Sequence, residues 1–160
     1  MTKGYAALVL HAHLPFVKHP EYEEFLEEDW YFEAVTETYL PLLAMMERLT
    51  AEGIPFALNM VITPTLAAMM EDPHHVHRLK RYLGKTLDLA CREAARLAND
   101  SEFGSIARFY QERLGFLNDL FVNRYGSDLL GAFRRLMDTG SLEIMTCAAT
   151  HGLLPVLGES

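Results

Sequence analysis

Cysteine is scarce in this chain of 160 residues, which contains only Cys91 and Cys147. Two cysteines so far apart provide neither a disulfide framework nor the paired spacing of a zinc site, so we expect a reducing, cytoplasmic compartment. Long hydrophobic runs are also lacking near the N-terminus. The run before His11 is too short for a signal sequence or a membrane span, and we expect no membrane partner.

Basic residues are few as well: 14 Lys and Arg stand against 22 Asp and Glu, for a formal net charge of −8. Binding to nucleic acid depends on clustered Lys and Arg, and no such cluster is present, so a nucleic-acid partner is not predicted. With 50% hydrophobic and 22% charged residues the chain should fold as about one globular domain. A sugar, or another neutral or cationic small molecule, is a more suitable ligand for this negative net charge than a nucleic acid.

What the chain does have is a short apolar run that leads into two histidines. Residues 6–10 predict an interior strand of a parallel sheet, covered on both faces. His11 and His13 follow at a spacing of two, which places both imidazoles on one face, and Pro15 cannot continue the hydrogen-bond ladder. Active sites of α/β proteins gather at the carboxyl ends of such strands, so the pair predicts a functional site rather than a core position.

The rest of the chain predicts two more strands among helices. A helix over residues 31–49, kinked or restarted at Pro41, leads to a second strand at 54–62. Thr65 is then predicted to cap a short helix that runs through Met70, and a third strand spans 142–147. His151 follows the third strand and should lie at the same edge as the first two histidines. Residues 74–139 contain only helical patterns, which indicates an all-α insertion between strands two and three.

Two other features suggest structure rather than chemistry. Residues 21–29 hold six carboxylates, and we interpret them as a solvated loop that supplies negative charge to a helix N-terminus. His75 and His77 do not share a helix face, so a joint metal site there is not predicted.

Four stretches resemble glycoside hydrolase family 57 in order and spacing, from residue 5 to about 158: LVLHAHLPFVKHP, EEDWYFEAVTETYLPLL, NMVITPTLAAMM and GSLEIMTCAATHGLLPVL. Among members of that family, the chain is most similar to 1,4-α-glucan branching enzymes. The resemblance implies an α/β fold: the N-terminal part of a distorted (β/α)7 barrel, with three parallel strands and the helical insertion. A complete barrel generally needs about 250 residues, and the remainder would be absent from residues 1–160.

The resemblance also implies an activity: retaining cleavage of α-glucan and transfer to a 6-hydroxyl, with a glutamate nucleophile and an aspartate acid/base. No metal or organic cofactor is required. No segment before Ser160 resembles the motifs of those two carboxylates, so we expect no catalytic residue here and no activity from these 160 residues alone.

By the same resemblance, His11, His13 and His151 line the subsite that holds the sugar to be cleaved. Neutral imidazole suits this role because it can donate one hydrogen bond and accept another. Trp30 is either an aromatic side chain near the sugar or a core anchor at a helix N-terminus. Glu143 is expected to be structural rather than the nucleophile.

Two other functions stay open on sequence grounds. An amidohydrolase-type metal enzyme also places His-x-His on its first strand, although it needs further ligands from later strands. The chain could instead be a non-catalytic glucan-binding fragment. An incomplete barrel leaves a sheet edge and apolar surface uncovered, so we expect self-association.

Overall fold

A computed structural model describes residues 4–150 and 152–158 of the chain. Three strands form one sheet: β1 spans Val9–Ala12, β2 spans Leu58–Ile62 and β3 spans Leu142–Met145. All neighbours pair in parallel, and their order across the sheet is β1-β2-β3. The predicted three parallel strands are therefore confirmed, and β2 is the central one.

The first strand differs from the prediction because it lies at an edge of the sheet. Among the strands of the described residues it pairs with β2 alone, and Leu8 and Val9 are 58% and 52% exposed. The expectation of an interior strand covered on both faces was wrong. His11 also lies within the strand rather than after it, opposite Val61 of β2.

The two faces of the sheet have different environments. One face carries Ala12, Met60 and Leu142, which are each at most 3% exposed. On the other face a row of paired positions runs from His11 through Val61 to Met145, where both outer side chains are exposed. Successive side chains along a strand point to opposite faces of the sheet. The first face packs against the helices, and the second face is open.

The crossover from β1 to β2 is one long helix with a change of winding. Helix α1 (Leu26–Ala34) continues through a π-helical turn (Val35–Tyr39) into α2 (Leu40–Ala51). Pro41 lies in the first turn of α2, so the helix restarts there, one of the two outcomes expected at this residue. The Leu40 N–H bonds to the Val35 carbonyl, one residue further back than in an α-helix. Gly53, with φ +67°, ends the crossover in the left-handed conformation that glycine adopts without strain.

The predicted helical insertion is confirmed between β2 and β3. The helices are α3 (Pro64–Glu71), α4 (Pro73–Arg96), α5 (Gly104–Asp119), with a second π-helical turn at Leu120–Arg124, and α6 (Leu129–Asp138). A short helix, α7 (Leu154–Leu157), follows β3. Thr63 caps α3, where Thr65 was expected to do so, and Asp72 caps α4 through the His74 N–H at 2.8 Å.

One core joins the sheet to the helices. Its largest fully buried side chains come from the crossover, α3, α4, α5 and α6, and include Tyr31, Leu40, Leu43, Met46, Leu66, Leu79, Leu83, Leu117, Phe121 and Phe133. Cys91 and Cys147 are free. Within the described part of the chain, no helix is long and apolar enough to cross a membrane.

Candidate active site

His11 and His13 lie together at the carboxyl end of β1. Their ring centroids are 6.0 Å apart and the ring planes are inclined by 32°. The His11 side chain is exposed, and that of His13 is half-buried. The sequence prediction that the two imidazoles share a face is confirmed, and that face is the open one.

The end of β2 holds the second histidine in place. His13 Nδ1 lies 3.1 Å from Thr63 Oγ1, and the Thr63 N–H donates to the Ala12 carbonyl at 3.1 Å. Thr63 is fully buried. The same residue thus extends the pairing of β1 with β2 by one bond, caps α3 and orients His13.

A second row of side chains lies on the open face, two residues nearer the amino end of each strand. Asn59 Nδ2 donates to Glu143 Oε2 at 2.6 Å, across the β2–β3 pair. Glu143 is the one acidic residue in the three strands. Its bond to a neighbouring strand agrees with the structural role expected for it.

Trp30 lies on α1. Its side chain is 52% exposed, so the alternative of a core anchor is wrong. It borders a surface depression of about 470 Å³ whose other lining residues are Glu33, Ala34, Glu37 and Thr38. His151, the third predicted histidine, lies outside the described residues.

The structure also shows a buried charge cluster that the sequence analysis missed. Glu28, interpreted above as part of a solvated loop, is 1% exposed and pairs with Arg78 of α4. Its Oε1 accepts from the His19 backbone N–H at 2.8 Å and from His74 Nε2 at 3.2 Å. Arg78 also donates to the Tyr22 carbonyl.

Electrostatics favour the ionised form of this carboxylate. Burial alone would raise the pKa of Glu28. The hydrogen bonds from His19, Arg78 and His74 outweigh that effect and hold the pKa below its usual range. The cluster is therefore a paired, hydrogen-bonded charge of the kind that proteins tolerate in their interior.

Further contacts fasten the segment that follows His13 to α4. His75 Nε2 donates to the Val17 carbonyl at 2.6 Å, and Lys18 pairs with Asp72. Burial lowers the pKa of His75 and so favours the neutral form of its imidazole. The loop between β1 and α1 is thus held by one face of α4.

A sequence signal for this cluster existed. Arg78, Arg81 and Lys85 recur at spacings of three and four, so they share one face of α4. They contact three of the carboxylates in the acidic stretch: Glu28, Glu23 and Glu24 respectively. Matching the two patterns would have predicted the contact, although it could not have predicted that only Glu28 is buried.

Across 4–150 and 152–158 no group of three or more His, Cys, Asp or Glu side chains is arranged to hold a metal ion. This applies to His75 and His77 and to His11 and His13.

Comparison with known proteins identifies the class to which this fold and site belong. The model of glycosyl hydrolase family 57 matches residues 7–160, and the chain belongs to that family. A curated relative, the 1,4-alpha-glucan branching enzyme TK1436 of Thermococcus kodakarensis, is 34% identical over 98% of this chain and 22% of its own length.

Solved structures agree with this assignment. The alpha-amylase AmyC of Thermotoga maritima superimposes with a TM-score of 0.88 at 40% identity, covering 95% of this chain and 29% of that one. The GH57-type branching enzyme of Pyrococcus horikoshii gives a TM-score of 0.86 at 32% identity, over 96% and 28% of the respective chains. The chain thus spans less than a third of the length of each of these three proteins.

Proposed function

We propose that this protein binds α-glucan at the carboxyl end of its sheet, with His11, His13 and His151 contacting one glucose unit and Trp30 contributing an aromatic face. The observation that carries the proposal is the histidine pair on the open face of β1. Two imidazoles with centroids 6.0 Å apart offer hydrogen-bonding groups at a spacing comparable to the width of a sugar ring.

The reaction we infer is glucan transfer by a retaining mechanism, as in the 1,4-α-glucan branching enzymes. Support comes from family membership and from the branching enzymes among the relatives. Plain hydrolysis of α-glucan is the second candidate, favoured by the 40% identity to an alpha-amylase. A retaining site needs two carboxylates about 5–5.5 Å apart.

We infer further that these 160 residues assayed alone transfer no glucan. Glu143 is the one carboxylate that the described strands place on the open face, and it is bonded to Asn59. A single carboxylate cannot act as both nucleophile and acid/base in the double displacement. The contribution of the described residues is therefore substrate binding.

Selectivity for the α-linkage tests this proposal. Titrating the protein with maltotetraose and with cellotetraose in a calorimeter should give saturable heat with the α-1,4-linked sugar and little with its β-linked isomer. The two ligands share composition and size, so cellotetraose controls for non-specific contact with the open face of the sheet. Equal binding of both sugars, or binding of neither, would contradict the proposal.

We also infer that the chain associates with itself through the uncovered side of β1. Val9 is 52% exposed on an edge strand whose outer hydrogen-bonding groups face away from β2. Light scattering at high concentration should show a mass above that of a monomer, and Val9→Lys should reduce it. Val156→Lys, at a 64% exposed position on α7, is the matched control and should leave the mass unchanged. A monomer at all concentrations would refute this inference.

A further inference from the structure

A chain of four hydrogen-bonding groups runs from the backbone after β1 to the imidazole of His13. Thr65 Oγ1 donates to the Leu14 carbonyl at 3.2 Å. Thr63 Oγ1 lies 3.1 Å from Thr65 Oγ1 and 3.1 Å from His13 Nδ1. The Leu66 N–H also points at Thr63 Oγ1, at 3.5 Å, as the cap of α3.

Counting hydrogens fixes the direction of every bond in this chain. A carbonyl can only accept, so the single Thr65 hydroxyl hydrogen goes to Leu14. The Thr65 oxygen must then accept from the Thr63 hydroxyl. The Thr63 hydrogen is thereby used, and its oxygen can only accept from its remaining neighbour, His13 Nδ1.

We propose that Thr65 is a positioning residue which, through Thr63, places the proton of neutral His13 on Nδ1 and leaves the lone pair on Nε2. His13 therefore presents a hydrogen-bond acceptor at Nε2. This step rests on the proposed function: Nε2 accepts a hydrogen bond from a hydroxyl of the bound glucose unit. Thr63 is fully buried, so water does not compete for its hydroxyl and the direction of the chain is maintained.

The opposite tautomer would act differently on the same sugar. With the proton on Nε2, the ring would donate to a hydroxyl oxygen, and the sugar would have to reverse its own hydrogen bonds to fit. A fixed tautomer thus selects one orientation of the hydroxyl before binding. The hydrogen bond at Nδ1 sets which ring nitrogen carries the proton. The residues bonded to Nδ1 therefore determine whether Nε2 donates or accepts a hydrogen bond.

The test uses the protein labelled with 15N in its histidines, at about pH 8.5, where an ordinary imidazole is neutral. Two-bond 1H–15N correlation spectra distinguish Nδ1–H from Nε2–H for each ring. We expect Nδ1–H at His13 in the wild type and in Thr65→Ser, which keeps the hydroxyl. Thr65→Val has the same shape without the hydroxyl, frees the Thr63 hydrogen for His13 and should shift the ring towards Nε2–H.

Affinity for maltotetraose provides the second reading. Thr65→Val should weaken it by roughly two- to tenfold, the effect of one lost hydrogen bond, and Thr65→Ser should not. Nε2–H at His13 in the wild type overturns the proposal, as does an unchanged tautomer in folded Thr65→Val. The wild-type spectrum decides the tautomer of His13 even if that variant fails to fold.

A changed tautomer with unchanged affinity overturns the role of Nε2 in binding the sugar. Absence of maltotetraose binding in the wild type overturns that role and the proposed function, whereas the tautomer readout is unaffected.

Discussion

Arg78→Met should lower the free energy of unfolding by about 3–5 kcal/mol, the usual cost of removing one partner from a buried ion pair. Glu28 is 1% exposed, so its carboxylate would lose the cation beside it without gaining water. The Tyr22 carbonyl would lose a donor in the same variant. Urea denaturation of both proteins at pH 7 measures the difference.

The α4 helix offers a matched control for this variant. Arg96→Met makes the same chemical change at an exposed pair with Glu93, and should cost no more than about 1 kcal/mol. Combining Arg78→Met with Glu28→Gln should recover part of the loss, because the uncompensated charge is removed as well. If Arg78→Met were no more destabilising than Arg96→Met, the account of a buried, paired Glu28 would be wrong.

His13→Ala and His11→Ala should each weaken binding of maltotetraose by about 10- to 100-fold. Each substitution removes an imidazole that we place against sugar hydroxyls, and one or two hydrogen bonds in a partly buried site have about this effect. His13 should show the larger loss because it is half-buried and oriented by Thr63. Calorimetric titration of the three proteins gives the comparison.

His77→Ala makes the identical change at an exposed position of α4 and should bind maltotetraose like the wild type. Melting curves show whether each variant is folded, so that a loss of affinity is not confused with a loss of structure. Wild-type affinity in both strand variants, or an equal loss in His77→Ala, would remove the histidine pair from the binding site.

Much of the fold could be predicted from the sequence because local patterns determine it. The strands ending near His11, Thr63 and Cys147 are short apolar runs between turn residues, and parallel pairing follows from the helices between them. The insertion over 74–139 was predicted because a helical period continues without a strand pattern. The spacing of His11 and His13 placed both on one face, as the structure confirms.

The errors concern properties that depend on partners distant in sequence. An apolar run is the same whether one face or two are covered, so residues 6–10 could not reveal that β1 is an edge strand. Glu28 could not be separated from the other carboxylates near it, because its burial depends on Arg78, fifty residues later. The position of Trp30 was ambiguous for the same reason.

The cap of α3 was predicted wrongly, because the local pattern allows two residues to cap this helix. Thr63 and Thr65 flank Pro64, and either could accept a backbone N–H at the helix start. The structure assigns the cap to Thr63 and gives Thr65 a bond to the Leu14 carbonyl instead. That bond joins the first turn of the helix to the backbone one residue after His13, whereas Thr63 contacts the His13 imidazole itself.

Histidine-resolved NMR during a titration with maltotetraose tests the central claim most directly, since the seven histidines report from different parts of one molecule. The imidazole signals of His11 and His13 should move saturably with one common dissociation constant. The signals of buried His75 and exposed His77 should stay in place and serve as internal controls. Saturable binding of the sugar with no movement at His11 or His13 would contradict the account.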